Sequence, residues 1–343
     1  MWREPTVAKK LGTVALFLGA FVLALAALSK FYMYDQLAQV PLNQDTTSEA
    51  TTAPGADGEY LDVAAGLKVS NGPLKNVKVV RGDIDASKKA SKELGRDVAV
   101  WDIYDSTDTA DFDFGSGETP LTGTSDRVAF DRNTGEAVKY EDTKSEADGE
   151  TIEPADIKGL YFKFPFDAQK KTYQFWDGTL REATPAKYVG EGEVKGLKVY
   201  KYRQTIEPIK TGTIDVPGDL IGEKATTVTA DQIYSSVTDY SIEPVTGVVI
   251  WGQTAQDNYL ELDGERVLTT TKATLAYTDA NVQKNVDDYK GKSTLLSAVK
   301  TTVPVGGLIL GILLIGAGLF LRLKSDGSKG ARHSDKDELV SSR

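Results

Sequence analysis

The chain has 343 residues, with 50 acidic against 40 basic side chains and a net charge of −10. It has no cysteine, and its single histidine, His333, lies close to the C-terminus. Those counts exclude thiol catalysis, cysteine-bound zinc and c-type haem attachment, and they leave everything before residue 333 without a Ser-His-Asp triad or an ordinary histidine-ligated zinc or copper site.

In chain order, residues 1–10 carry Arg3, Lys9 and Lys10, and an uncharged, nearly all-apolar run follows from Leu11 to Ser29. A helix needs about 20 such residues to cross the hydrocarbon core, and a helix satisfies its own backbone in lipid. A secretory signal peptide cleaved after Ala26 would share the basic start and the Ala24-Leu25-Ala26 pattern. The run exceeds the usual ~7–15-residue apolar region of such peptides, which favours a retained anchor. Phe31, Tyr32 and Tyr34 come next, as in an interfacial aromatic belt, and polar, turn-rich residues then make 30–59 read as a linker.

From residue 60 to 278 the pattern is that of strands. Runs rich in β-branched and aromatic residues occur at Asn76–Val80, Asp97–Tyr104, Gly159–Phe166, Lys171–Trp176, Ala186–Gly190, Leu197–Gln204, Ser236–Ile242, Val248–Gly252 and Arg266–Thr278. Arg127–Tyr140 reads as a hairpin around Asn133-Thr134-Gly135. Spacing of this kind predicts one antiparallel β domain. Residues 279–300 place Val282, Val286, Tyr289, Leu296 and Val299 at helical spacing, which predicts an amphipathic helix interrupted near Gly291. Thr301–Leu321 is a second uncharged run of spanning length, with Pro304 and Gly306-Gly307 expected to bend the chain at its start. The charged tail, 322–343, is expected to be disordered.

Positive flanks stay in the cytoplasm. Arg3, Lys9 and Lys10 precede the first run, and Arg322, Lys324, Lys329, Arg332, Lys336 and Arg343 follow the second. Both termini are therefore expected inside and the β domain outside. The acid excess is concentrated in that domain, which argues against nucleic acid as a partner.

Among candidate sites, the strand aromatics Trp101, Tyr161, Phe164, Tyr173, Phe175, Tyr200, Tyr202 and Trp251 are ordinary core residues or the lining of a cavity for an apolar ligand. Asp111, Asp113 and Glu118, beside Gly115 and Gly117, form a solvated acidic loop or a calcium-binding one, without the spacing or helical flanks of an EF-hand. Carboxylate pairs could serve glycoside hydrolysis, but no pair is singled out. Gly307 and Gly311, with Ala15 and Gly19 in the first run, offer small faces for helix packing, within the chain or between subunits. Neither run holds an ionisable residue, so the two helices alone offer an ion no polar path.

Five segments carry a resemblance: Phe130–Glu136, Gly159–Phe166, Lys171–Gly178, Val194–Tyr200 and Ile242–Val249. In that order they resemble the actinobacterial membrane proteins of the PorA-like porin family over nearly the whole chain. The resemblance implies a porin and carries over no catalytic residue. A barrel porin crosses lipid on alternating strands of about 9–11 residues and has no helical spans, whereas this layout is closer to class B scavenger receptors, with a lipid-tunnelled β domain between terminal helices.

The expectation is a mainly β (α+β) extracytoplasmic domain, antiparallel and barrel-like, between two terminal transmembrane helices. The functional expectation is a non-enzymatic plasma-membrane protein of the cell envelope, without cofactor, that binds or passes an apolar or lipid molecule. The alternatives are an oligomeric porin or channel component and a carboxylate-based envelope glycosidase. Expected partners are the bilayer, a lipid ligand and further copies of the chain.

Overall fold

The computed structural model describes residues 7–62, 65–147 and 149–334, the last ten of these by backbone alone. Of the flanking charges that set the expected orientation, Arg3, Lys336 and Arg343 lie outside the described residues. The chain divides into two compact units, one of the terminal segments up to Ala38 and from Thr294, the other of Gln39–Ser293.

The terminal unit contains α1 (Val7–Leu28), a π-helical turn at Ser29–Met33, a short α2 (Tyr34–Leu37), a second π-helical turn at Ala298–Thr302 and α5 (Val303–Ser334). Both long helices are long and apolar enough to cross a membrane. The buried residues of α1 are Gly12, Gly19 and Ala26, seven apart and so on one side of the helix. Against them lies α5, running the other way. A Cβ on Gly12 would sit 2.8 Å from the Gly318 carbonyl oxygen, one on Gly19 2.9 Å from that of Gly311, and one on Gly307 2.8 Å from the Ala26 Cβ. Small residues therefore let the two backbones touch. Gly307 and Gly311 are used for packing within the chain, while Phe17, Phe21, Leu313 and Phe320 point outward. The start of the second run differs from expectation. Pro304 lies just after the π-helical turn Ala298–Thr302 inside a continuous helical run, and the Ser29 hydroxyl donates to the Val299 carbonyl at 2.9 Å in that turn. The helix runs past Leu321 to Ser334, and the rest of the expected tail, 335–343, lies outside the described residues.

The central unit is one 14-stranded antiparallel sheet curved into a half-barrel. Its strands are β1 (Asp45–Thr51), β2 (Gly58–Asp62), β3 (Lys68–Gly72), β4 (Leu74–Asp83), β5 (Val98–Thr109), β6 (Thr122–Asp131), β7 (Lys144–Ala147), β8 (Glu150–Ile152), β9 (Tyr173–Asp177), β10 (Glu182–Val194), β11 (Leu197–Pro217), β12 (Thr227–Ile242), β13 (Val249–Leu262) and β14 (Glu265–Tyr277). The order is β8-β7-β6-β5-β4-β1-β14-β13-β12-β11-β10-β9, with β2 and β3 attached to β14. Helix α3 (Ile84–Leu94) has no counterpart among the expected elements. Asp83 caps it by accepting from the Ala86 N–H at 2.9 Å, and Gly95 ends it at φ 64°. Helix α4 (Asp279–Ser297) stays helical through Gly291, with Val282 and Val286 buried against Leu197, Val199 and Ile250.

Two expectations are corrected here. The segment 30–59 is not a linker throughout, since Asp45–Thr51 is the strand that joins β4 to β14 and makes the sheet continuous. Its sequence, Asp-Thr-Thr-Ser-Glu-Ala-Thr, lacks apolar alternation, and it is held through backbone pairing on both sides. Conversely, Gly159–Phe166 forms no ladder strand. It spans the gap between the edges of the sheet through isolated bridges, Glu136 to Leu160 and Leu160 to Phe175, while Phe130 bridges Ala137. The expected hairpin at 127–140 is reduced to that last bridge. Asp131 accepts from the Asn133 and Thr134 N–H groups, and Gly135 takes φ 78°.

Candidate functional site

Cross-strand register assigns side chains to the two faces of the sheet. Lys78 opposes Asp105 and Ser48, Asp126 opposes Ser145 and Ile103, Thr254 opposes Thr238, Gln204 opposes Thr238, and Tyr240 opposes Tyr202. All lie on one face, which also carries Tyr277 from β14 and Asp177 from β9. That face is the inside of the half-barrel. Lys78 and Asp177 influence each other electrostatically although six strands of the ladder lie between β4 and β9. Only strong curvature brings them within range.

This inner band is polar, and part of it is accessible. The Lys78 ammonium lies 2.7 Å from the Asp105 carboxylate, and their side chains stay 39% and 30% accessible. Desolvation acts to lower the Lys78 pKa, but Asp105, Tyr277 and Asp177 together outweigh it and the net shift is upward. Burial raises Asp177, against the hydrogen bonds it accepts from the Leu180 N–H, Tyr234 hydroxyl and Thr179 N–H. Burial likewise raises Asp126, which accepts from the Tyr161 hydroxyl. Tyr161, Tyr240 and Tyr277 are also raised by burial, so their phenols remain neutral donors. Tyr240 donates to Gln204 at 2.7 Å, and Gln204 donates to Thr184 at 2.6 Å and to the Phe175 carbonyl at 2.9 Å. The arrangement presents fixed donors and acceptors to a hydrophilic molecule. Among the described residues, no three His, Cys, Asp or Glu side chains gather to hold a metal.

Below this band, aromatic rings fill one end of the half-barrel. The expected ligand-lining residues divide between three clusters. Trp101 packs on Phe130 at 4.9 Å and Phe162 at 5.0 Å, with Tyr161 against Phe162 at 4.7 Å. Phe164 meets Tyr202 at 4.5 Å, Phe175 at 5.4 Å and Tyr173 at 5.5 Å. Trp251 belongs to the cluster of Ile250, Val282 and Val286. Within each of the first two clusters the rings pack on one another. Tyr200 lines a surface cavity of about 560 Å³ with Asp167, Gln169, Lys170 and Pro244.

Among the described residues, the acidic loop does not bring three carboxylates together. The Asp113 carboxylate accepts from the Gly115 N–H at 2.9 Å, and Phe112 and Phe114 stack edge to face beside it. Asp111 and Glu118 join no carboxylate cluster.

The segment 155–168 closes the aromatic end. It donates from Leu160 to the Gln174 carbonyl (2.8 Å), from Phe164 to that of Gly247 (2.9 Å), from Asp167 to that of Val245 (2.9 Å) and from Ala168 to that of Pro244 (2.8 Å). It carries Lys163, 6% exposed, whose ammonium nitrogen has no hydrogen-bond partner and lies 3.7 Å from the centre of the Phe166 ring. Burial lowers the Lys163 pKa to about 7, against the pull of the Glu243 charge. The Glu243 carboxylate is itself saturated by the Val245 and Thr246 N–H groups and by the Thr246 and Ser293 hydroxyls.

None of Lys78, Asp177, Lys163 or Glu243 stands out in the sequence. A faint signal exists in Val77-Lys78-Val79, where a lysine occupies an alternate position of a β-branched run.

The outer face of the sheet bears charges in cross-strand pairs, among them Lys75–Glu49 at 3.0 Å, Arg127–Asp102 at 2.8 Å and Arg203–Asp239 at 2.7 Å. The lipid-facing side of a porin barrel is apolar, and this face differs from it in carrying paired charges.

The sequence profile of a family described as Porin PorA matches residues 11–320. A Porin PorA of Corynebacterium resistens is 35% identical over 98 residues, 26% of this chain and 24% of that protein. A Porin PorA of Corynebacterium amycolatum is 24% identical over 388 aligned positions, covering 92% of this chain and 99% of that protein.

Proposed function

This chain belongs to the Porin PorA family, and from that premise we propose that it is a non-enzymatic, membrane-anchored channel component of the cell envelope, whose half-barrel gives hydrophilic solutes a water-lined path. Helices α1 and α5 act as anchors, with both termini cytoplasmic and the half-barrel outside. The observation that carries this reading is the polar inner band around Lys78, Asp105 and Asp177 on a strongly curved sheet, with Lys78 and Asp105 still partly accessible. Conduction through the hydrocarbon then needs more than one copy, because the α1 and α5 runs hold no ionisable residue and one side of each is spent on the other. Binding or passing of an apolar or lipid molecule draws on the strand aromatics. It is the weaker reading, since those rings are in contact with each other at 4.5 to 5.5 Å.

The test is planar-bilayer recording of purified full-length protein in a salt gradient. Wild type conducts, and Lys78→Glu, which replaces a positive charge of the inner band by a negative one, shifts the reversal potential towards cation preference. Absence of conductance, with a stoichiometric lipid retained through purification, refutes the path and supports the apolar-ligand reading.

A further inference from the structure

The segment 155–168 differs from every strand around it. The ladder strands are held by runs of paired residues, such as the fifteen partners between β11 and β12. The segment has no ladder: isolated bridges, single hydrogen bonds to Thr143, Gln174 and the 243–248 turn, and the buried Ile157, Leu160 and Phe164 side chains hold it. Its rings, Phe162 and Phe164, pack against Trp101 and Tyr202 of the inner face, at 5.0 and 4.5 Å. In its middle is an amine that burial deprives of water and that no protein group replaces. A desolvated amine without a partner works against the closed position of whatever carries it.

We propose that residues 155–168 are a displaceable plug at the aromatic end of the inner face, and that Lys163 sets how firmly the plug is held. The consequence for solute passage rests on the channel reading above; the displacement itself does not. The groups around Lys163 decide the sign. The 131–136 turn presents Gly135, whose added Cβ would sit 3.6 Å from the Lys163 Cγ, and no charge. The plug itself presents the Phe166 ring. The 243–248 turn presents Glu243, whose oxygens are already taken by four donors, so it attracts the ammonium without bonding it. With its pKa lowered to about 7 in the closed position, Lys163 is neutral there at alkaline pH but protonated whenever the plug swings into water. Proton uptake accompanies opening between about pH 7 and the ordinary lysine value near 10.4. Closure therefore strengthens as pH rises through that window and is weakest, and constant, below it.

Hydrogen exchange on the full-length protein in detergent reads this directly. The protection factors of the Leu160 and Phe164 amides, taken relative to β11–β12 amides, rise about tenfold per pH unit above about pH 7. In Lys163→Met the same amides are well protected at every pH, and in Lys163→Arg, which stays charged, they are poorly protected at every pH. Wild-type protection that does not change with pH overturns the proposal, and this arm needs no variant to fold. Planar-bilayer conductance that falls with rising pH in wild type but not in Lys163→Met ties the plug to the path. PH-dependent protection without conductance at any pH upholds the plug and refutes the channel reading.

Discussion

Gly247→Ala is the sharpest probe of how the closing segment is seated. Gly247 has φ +72°, and an added Cβ would lie 2.0 Å from the Phe164 carbonyl oxygen and 2.4 Å from that of Pro165. The left-handed backbone alone costs an alanine about 1–2 kcal/mol. Relief of the clash pulls the turn away from Phe164, whose N–H bonds the Gly247 carbonyl at 2.9 Å. Leaving that buried pair unmade adds about 1–3 kcal/mol. A total near 3 kcal/mol lowers the melting temperature by about 6–12 °C for a domain of this size. Gly264→Ala is the control. Its φ is +82° but nothing lies within 4 Å of the added Cβ, so only the backbone contribution remains. The assay is thermal denaturation of both variants in the same detergent, followed by circular dichroism. Equal melting temperatures for the two would refute the argument, because they would mean that the close approach of Gly247 to residues 164–165 contributes nothing.

Two further outcomes follow from the packing and the charges. Gly19→Leu separates α1 from α5, since even a Cβ at Gly19 would come within 2.7 Å of Ile315. In a chain that lacks native cysteines, an Ala26→Cys, Gly307→Cys pair forms a disulfide on mild oxidation, and adding Gly19→Leu abolishes it on a non-reducing gel. For Asp126, burial raises the carboxyl above its ordinary value, so the folded state holds the proton more tightly than the unfolded chain. Its contribution is most favourable in acid and is lost as pH rises through the carboxylate range. Asp126→Asn, which can still accept from Tyr161, is therefore more stable than wild type at pH 8 but not at pH 3, in urea titrations at the two values.

Several elements were legible because their signals are local. The two apolar runs, the alternation of β9 and β11, and the turn at Asn133-Thr134-Gly135 depend on neighbours within a few residues. Strand β1 was not legible, because Asp45–Thr51 has no apolar period and pairs through its backbone with β4 and β14. The family-like segments Phe130–Glu136, Gly159–Phe166, Lys171–Gly178 and Ile242–Val249 read singly as turns and strands. In space they meet at the closure, where Glu136, Leu160 and Phe175 bridge and Phe164 bonds Gly247.

From sequence alone come a chain with two apolar runs of spanning length, an antiparallel β-rich middle, and chemistry without cysteine or, before residue 333, histidine. Composition and period suffice for these, because hydrophobic length and side-chain alternation are one-dimensional properties. The tertiary structure alone decided that the small residues of the two helices face each other, that the strand aromatics pack together, and that Lys78, Asp105 and Asp177 share one inner band. Those outcomes depend on the curvature and closure of the sheet, which bring β4 and β9 together across six intervening strands, and no local pattern encodes a distance of that kind.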